Sequence, residues 1–331
     1  MRFVKPLLFV AGAALLVVLV QRVGTEPIVA TLRALRWWQF VLICLPYGVI
    51  VAVDTLGWRF AFARDGAPFW RLYGARLAGE ALNIVTAVGS VGGEAAKAWL
   101  VRRDVSYAES VPSIVIEKTA ITIAQAIFLL IGIVLAWAAL DVSGTVLRAM
   151  LWLLAVEIVA VGGFFGAQVA GLVAHGGRIL RWSGVVSDVS AADDLDAALR
   201  GYYREAWRRF ALSVGVHVVG WLLGALETWA MLWMLGVTGH VLTATVIEAL
   251  GSGVRFASFM VPASLGAFEG ANAAAFTALG FGAGAGLAFS FVRRARQAVW
   301  ITLGVIVLVA MPWLDARRPS PPAARRRRSA P

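Results

Sequence analysis

The residues able to do chemistry in this chain sit inside sequence that is otherwise strongly apolar. Glu94 and Lys97 lie in residues 87–103, beside Ser90 and the glycines Gly92 and Gly93. Their i, i+3 spacing places both on one face of a helix. Upstream, Arg76, Glu80 and Asn83 share a face at i, i+4, i+7, and downstream Glu117 and Lys118 open a long apolar run. A second set contains Arg255, Ser264, Gly266, Glu269 and Asn272, followed by Arg293 and Arg294. Ionised side chains at membrane depth are costly, so they turn inward and mark a substrate or ion path. The planar fork of Arg suits phosphate oxygens. The Glu and Lys pairs suit gating ion pairs or contacts to an amine. An enzymatic reading would need a placed nucleophile, a paired His or a metal cluster. Only Glu94 or Glu269 offers itself as a base.

The elements that hold these residues form an internal repeat. Ser90-x-Gly92-x-Glu94 answers Ser264-x-Gly266-x-x-Glu269. Glu80 precedes Glu94 by the same distance as Arg255 precedes Glu269, and Glu117-Lys118 follow the first copy at about the spacing at which Arg293-Arg294 follow the second. Each copy is rich in glycine and lies in apolar sequence. Backbone that leaves a helix at membrane depth must be buried in protein or line a polar cavity. Both copies are therefore expected to be broken, re-entrant helices with polar tips, near residues 69–103 and 241–280. Paired interrupted segments in two halves point to a transporter site between them.

Composition sets the class. The 331 residues are 60% hydrophobic and 15% charged, well away from a soluble domain. Mean hydropathy is +0.80. The net charge of +11 is carried almost wholly by arginine. On a membrane protein, basic loops report orientation rather than nucleic-acid binding. Cys44 is the single cysteine, and His175, His217 and His240 are scattered, so no metal or other cofactor is expected. No Gly-x-x-x-x-Gly-Lys motif is present for ATP.

In order, the chain is expected to open with a retained signal anchor over residues 1–20 and a short interfacial helix over 25–38. Spans follow at 39–63, 110–139, 146–173, 210–235 and 287–314. Asp54 in the second span is either a pathway residue or a partner for an arginine. Glu157, His217 and Glu227 lie inside later spans. The whole is expected to be an all-α polytopic membrane protein of about six transmembrane helices plus two opposed re-entrant hairpins in an inverted repeat. Residues 1–314 form one membrane domain, and residues 315–331 an Arg/Pro-rich disordered tail. The basic segments place both termini in the cytoplasm.

The chain resembles the flippase-like membrane family related to the transmembrane region of lysylphosphatidylglycerol synthase. The residues carrying this are 88–103, Ile116-Glu-Lys-Thr119 and 261–269 with Arg293-Arg294 after them. The first copy lacks the proline that often precedes the family's Gly-Glu pattern. The resemblance spans roughly residues 2–311. The synthase's soluble aminoacyl-transferring domain has no counterpart in these residues. The resemblance thus implies a non-enzymatic flippase of a bacterial inner membrane, acting on lipids with an anionic or zwitterionic headgroup. A stand-alone member of this size is also similar to the membrane protein associated with hopanoid biosynthesis. That would make lipid-biosynthesis enzymes partners, and leaves a non-catalytic scaffold as the alternative.

Overall fold

The computed structural model describes residues 4–33, 35–85, 91–140, 142–172 and 190–317, all helices and connections with no strand among them. The helices are α1 (Val4–Val23), α2 (Thr25–Arg33), α3 (Trp37–Ala61), α4 (Phe69–Val85), α5 (Val91–Val101) and α6 (Tyr107–Ala138). They continue with α7 (Gly144–Val169), α8 (Ser190–Glu205), α9 (Trp207–Met234), α10 (Val241–Ala257), α11 (Ala267–Ala278) and α12 (Ala283–Ala316). Five of them, α3, α6, α7, α9 and α12, are long and apolar enough to cross a membrane. The bent pair α1–α2 makes a sixth candidate, turning by 87° at Gly24, whose φ of +84° suits glycine. The chain is a multi-pass α-helical membrane protein.

Burial is inverted relative to a soluble protein. Trp137, Trp152 and Val159 are at least 73% exposed, whereas Arg76, Lys97, Glu117, Glu248 and Arg296 are buried. An apolar exterior suits hydrocarbon, where helices satisfy every backbone group internally.

Neither α4 nor α5, and neither α10 nor α11, is long and apolar enough to cross alone. Each pair folds into a helical hairpin. Contacts show that the hairpins open at opposite ends of the bundle. At one end, Arg71 of α4 pairs with Asp104 just past α5 and with Asp315 at the close of α12. At the other, Phe276 near the end of α11 packs on Phe281 and on Phe289 of α12, and Trp229 of α9 bonds the carbonyl of Gly239. Three crossing helices, α6, α7 and α9, separate the hairpins, and an odd number reverses their direction.

Some expected boundaries shift. The interfacial helix ends at Arg33, not 38. The last helix runs two residues beyond 314, because Asp315 is 5% exposed and held by Arg71. Ser90 and the turn that joins α4 to α5 lie outside the described residues, as do His175 and residues 318–331 of the expected tail.

Candidate functional site

The first hairpin closes on glycine. A Cβ at Gly93 would lie 2.0 Å from the Gly79 carbonyl oxygen, so α4 and α5 touch backbone to backbone. Asn83 ties them: its Oδ1 accepts the Gly93 N–H at 2.8 Å, and its Nδ2 donates to Glu94 at 3.1 Å. Glu94 then meets Lys97 at 2.9 Å and Lys118 of α6 at 2.8 Å. Beneath this tip Arg76 pairs with Glu117 at 2.5 Å, Glu80 at 2.9 Å and Asp54 of α3 at 3.3 Å. Lys97 reaches the other oxygen of Glu117 at 3.0 Å. Asp54 also meets His217 Nδ1 at 2.8 Å.

The second hairpin turns through Pro262–Ser264, where Ala263 and Ser264 both have positive φ. Gly266, at φ +78°, donates its N–H to Glu269 at 2.7 Å. Glu269 accepts Arg294 Nε at 2.7 Å, and Arg294 Nη1 donates to the Ala263 carbonyl at 2.8 Å. Deeper in, Glu248 receives both Nη groups of Arg293, Arg255 at 2.9 Å and the Thr228 hydroxyl at 2.8 Å. Glu227 pairs with Arg296. The Phe268 ring sits 5.0–5.8 Å from the guanidinium carbons of Arg255, Arg293 and Arg294, a range in which ring faces attract cations.

The repeat is thus preserved in one respect and reversed in another. The tip carboxylate is clamped from the following helix in both copies, Glu94 by Lys118 and Glu269 by Arg294. Below the tip the signs exchange. In the first copy a central Arg76 is held by Glu80 and Glu117. In the second a central Glu248 is held by Arg255 and Arg293, which occupy the matching sequence positions.

A cavity of about 400 Å³ lies between the hairpins, in the range typical of ligand sites. One wall carries Asp54, Arg76, Glu80 and Lys118; the other carries Arg255, Ser264, Phe268 and Arg294. Of the residues expected from sequence, Glu80, Lys118, Arg255, Ser264, Arg293 and Arg294 reach the wall. The other described ones sit behind it. Lys97, Glu117 and Glu269 are at most 1% exposed and brace the hairpins. Asn83, Gly92, Gly93, Glu94 and Gly266 belong to the hairpin tips. Asn272 bonds Ser290 at 2.9 Å and serves the contact between α11 and α12, not the cavity. Arg293 reaches the wall with both Nη groups on Glu248. Sequence reasoning missed Tyr47, Glu248 and Arg296 altogether. A usable signal existed: Glu248 is seven residues before Arg255, and Arg296 three after Arg293, so each shares a face with a residue already selected.

A model of the lysylphosphatidylglycerol synthase TM region matches residues 3–306. The chain belongs to this family. Comparison with curated proteins and with solved structures gave no match. Membership in the lysylphosphatidylglycerol synthase TM family makes this a membrane protein of lipid-related processes. The matched region takes in both hairpins and every cavity residue named above, so the charged cavity lies wholly inside the family region.

Proposed function

We propose that this chain is a lipid flippase, moving a phosphate-bearing headgroup between the leaflets of a bacterial cytoplasmic membrane. The observation that carries the reading is the charged cavity between two opposed hairpins inside a bundle with an apolar exterior. A headgroup in that cavity would leave its acyl chains in lipid. Phosphate falls to Arg255 and Arg294. Arg255 gives one Nη to Glu248, and Arg294 Nη2 has no hydrogen-bond partner. An amine, where the headgroup has one, faces Glu80 and Asp54 on the opposite wall. The partners are anionic or zwitterionic lipids and, in a hopanoid or phospholipid pathway, the enzymes that make them. Both termini lie in the cytoplasm, and the chain catalyses no bond making.

The test is leaflet exchange of fluorescent phospholipids by purified protein in vesicles. Arg255→Ala and Arg294→Ala are expected to lower the rate at least about tenfold, the cost of one lost charge-assisted hydrogen bond. Asn272→Ala should leave it near wild type. Unchanged exchange by both Arg variants removes the proposed phosphate site.

A further inference from the structure

His217 has a built position that the cavity does not account for. It lies at the middle of α9, about 15 Å along the helix from Trp207, and is fully buried. Two glycines make room for it and its partner. A Cβ at Gly57 would come within 2.5 Å of His217 Nε2, and one at Gly220 within 2.8 Å of Asp54 Oδ1. Each helix is notched where the other's polar side chain enters. The imidazole bonds Asp54 through Nδ1, and Nε2 has no hydrogen-bond partner. Asp54 lines the cavity, whereas His217 stands directly behind it.

The groups facing this imidazole are Asp54 from α3, Arg76 from α4 and Glu117 from α6, with Lys97 of α5 beyond Glu117. Glu248 of α10 lies across the cavity, and Glu227 is three turns along α9 itself. Helix α8 meets α9 at Phe210, through Tyr203, two turns before His217. Around the first hairpin, the carboxylates Asp54, Glu80, Glu94 and Glu117 outnumber Arg76, Lys97 and Lys118 by one. Around the second, Arg255, Arg293, Arg294 and Arg296 outnumber Glu227, Glu248 and Glu269 by one. Counted over these carboxylates, arginines and lysines, the two halves cancel. A headgroup carrying one net negative charge upsets that balance, and an imidazolium restores it.

We propose that the Asp54–His217 pair is a proton-binding site that loads together with an anionic headgroup. The proposal rests on the flippase reading. Nε2, buried and without a hydrogen-bond partner, is the open position for the proton, and an anion in the cavity would attract a proton there. The proton comes from the aqueous phase by way of the cavity and forms an N–H bond on the imidazole; no other bond changes. A zwitterionic headgroup brings its own ammonium and needs no proton. The cargo is in each case neutral, an anion with a proton or a zwitterion alone.

The experiment reconstitutes the full chain in vesicles with a lumenal pH dye, using labelled phosphatidylglycerol in one set and labelled phosphatidylethanolamine in another. Exchange of phosphatidylglycerol is expected to carry protons and to change several-fold under a gradient of one pH unit. Exchange of phosphatidylethanolamine should do neither. His217→Gln should abolish gradient dependence for phosphatidylglycerol. Phosphatidylglycerol exchange without proton movement, proton movement surviving in His217→Gln, or exchange of phosphatidylethanolamine alone overturns the proposal and leaves the flippase standing. Exchange of neither lipid overturns both. Should His217→Gln not assemble, histidine NMR of the wild-type chain decides. The His217 imidazole must gain a proton on adding short-chain phosphatidylglycerol at constant pH, and an unchanged resonance overturns the site.

Discussion

Replacing Glu117 by Gln tests whether the buried charges hold the fold. Glu117 is fully buried, with Arg76 at 2.5 Å on one oxygen and Lys97 at 3.0 Å on the other. Gln keeps the volume, loses the charge and presents an amide donor to one of the two cations. Removing one partner of a buried pair costs about 3–5 kcal/mol. Arg76 retains Asp54 and Glu80, and Lys97 retains Glu94, which sets the expectation at the lower end, about 3 kcal/mol. That is roughly a hundredfold in the folding equilibrium. Adding Lys97→Met removes the cation left with less compensation, and the double variant should regain about 1–2 kcal/mol. Equilibrium unfolding in mixed micelles, followed by tryptophan fluorescence, measures both. A Glu117→Gln midpoint equal to wild type would refute the reasoning, since the network would then contribute nothing to stability.

Gly93→Ala should disrupt the first hairpin, because its Cβ would sit 2.0 Å from the Gly79 carbonyl and 2.3 Å from Asn83 Oδ1; cross-linking of cysteines placed on α4 and α5 reads the separation. Asn272→Ala should cost about 1–3 kcal/mol by leaving Ser290 with a lost buried partner, measured by the same unfolding assay. Arg293→Lys should destabilise by about 1–2 kcal/mol, since a lysine cannot close both oxygens of Glu248. Asp65 lies in the turn after α3, where Arg209 and then Arg59 hold its carboxyl below the usual carboxylate range. Its stabilising effect is present above that range and is lost as pH falls through the lowered folded value, so Asp65→Asn should flatten the acid limb of a stability–pH curve.

The spans were legible because long apolar runs have few other uses, and the hairpins because glycines and charges interrupt those runs in the same order twice. The tip clamps Glu94–Lys118 and Glu269–Arg294 follow from residues already selected by type. What stayed hidden depends on approach between distant segments. Glu248 is one carboxylate in an ordinary helical stretch, and its meaning comes from Arg293, 45 residues away. Asn272 carries the same polar label as a cavity residue, yet the rotation of α11 turns it to Ser290. Spacing along one helix tells which residues share a face, not which face meets the cavity.

The last helix has a mechanical consequence. Both hairpins lean on α12 through bare backbone. A Cβ at Gly304 would meet the Leu77 carbonyl of the first hairpin at 2.5 Å, and one at Gly286 the Asn272 carbonyl of the second at 2.6 Å. These seats are separated by about 27 Å of continuous helix. Arg71–Asp315 pins one end of this rod, and Arg294–Glu269 grips it between the two seats. Without side chains at the seats to act as cushions, neither hairpin can slide without dragging the rod. A displacement entering at one tip therefore arrives at the opposite end as a lever stroke. The two opposed hairpins are mounted on one crank, so shifting one shifts the support of the other.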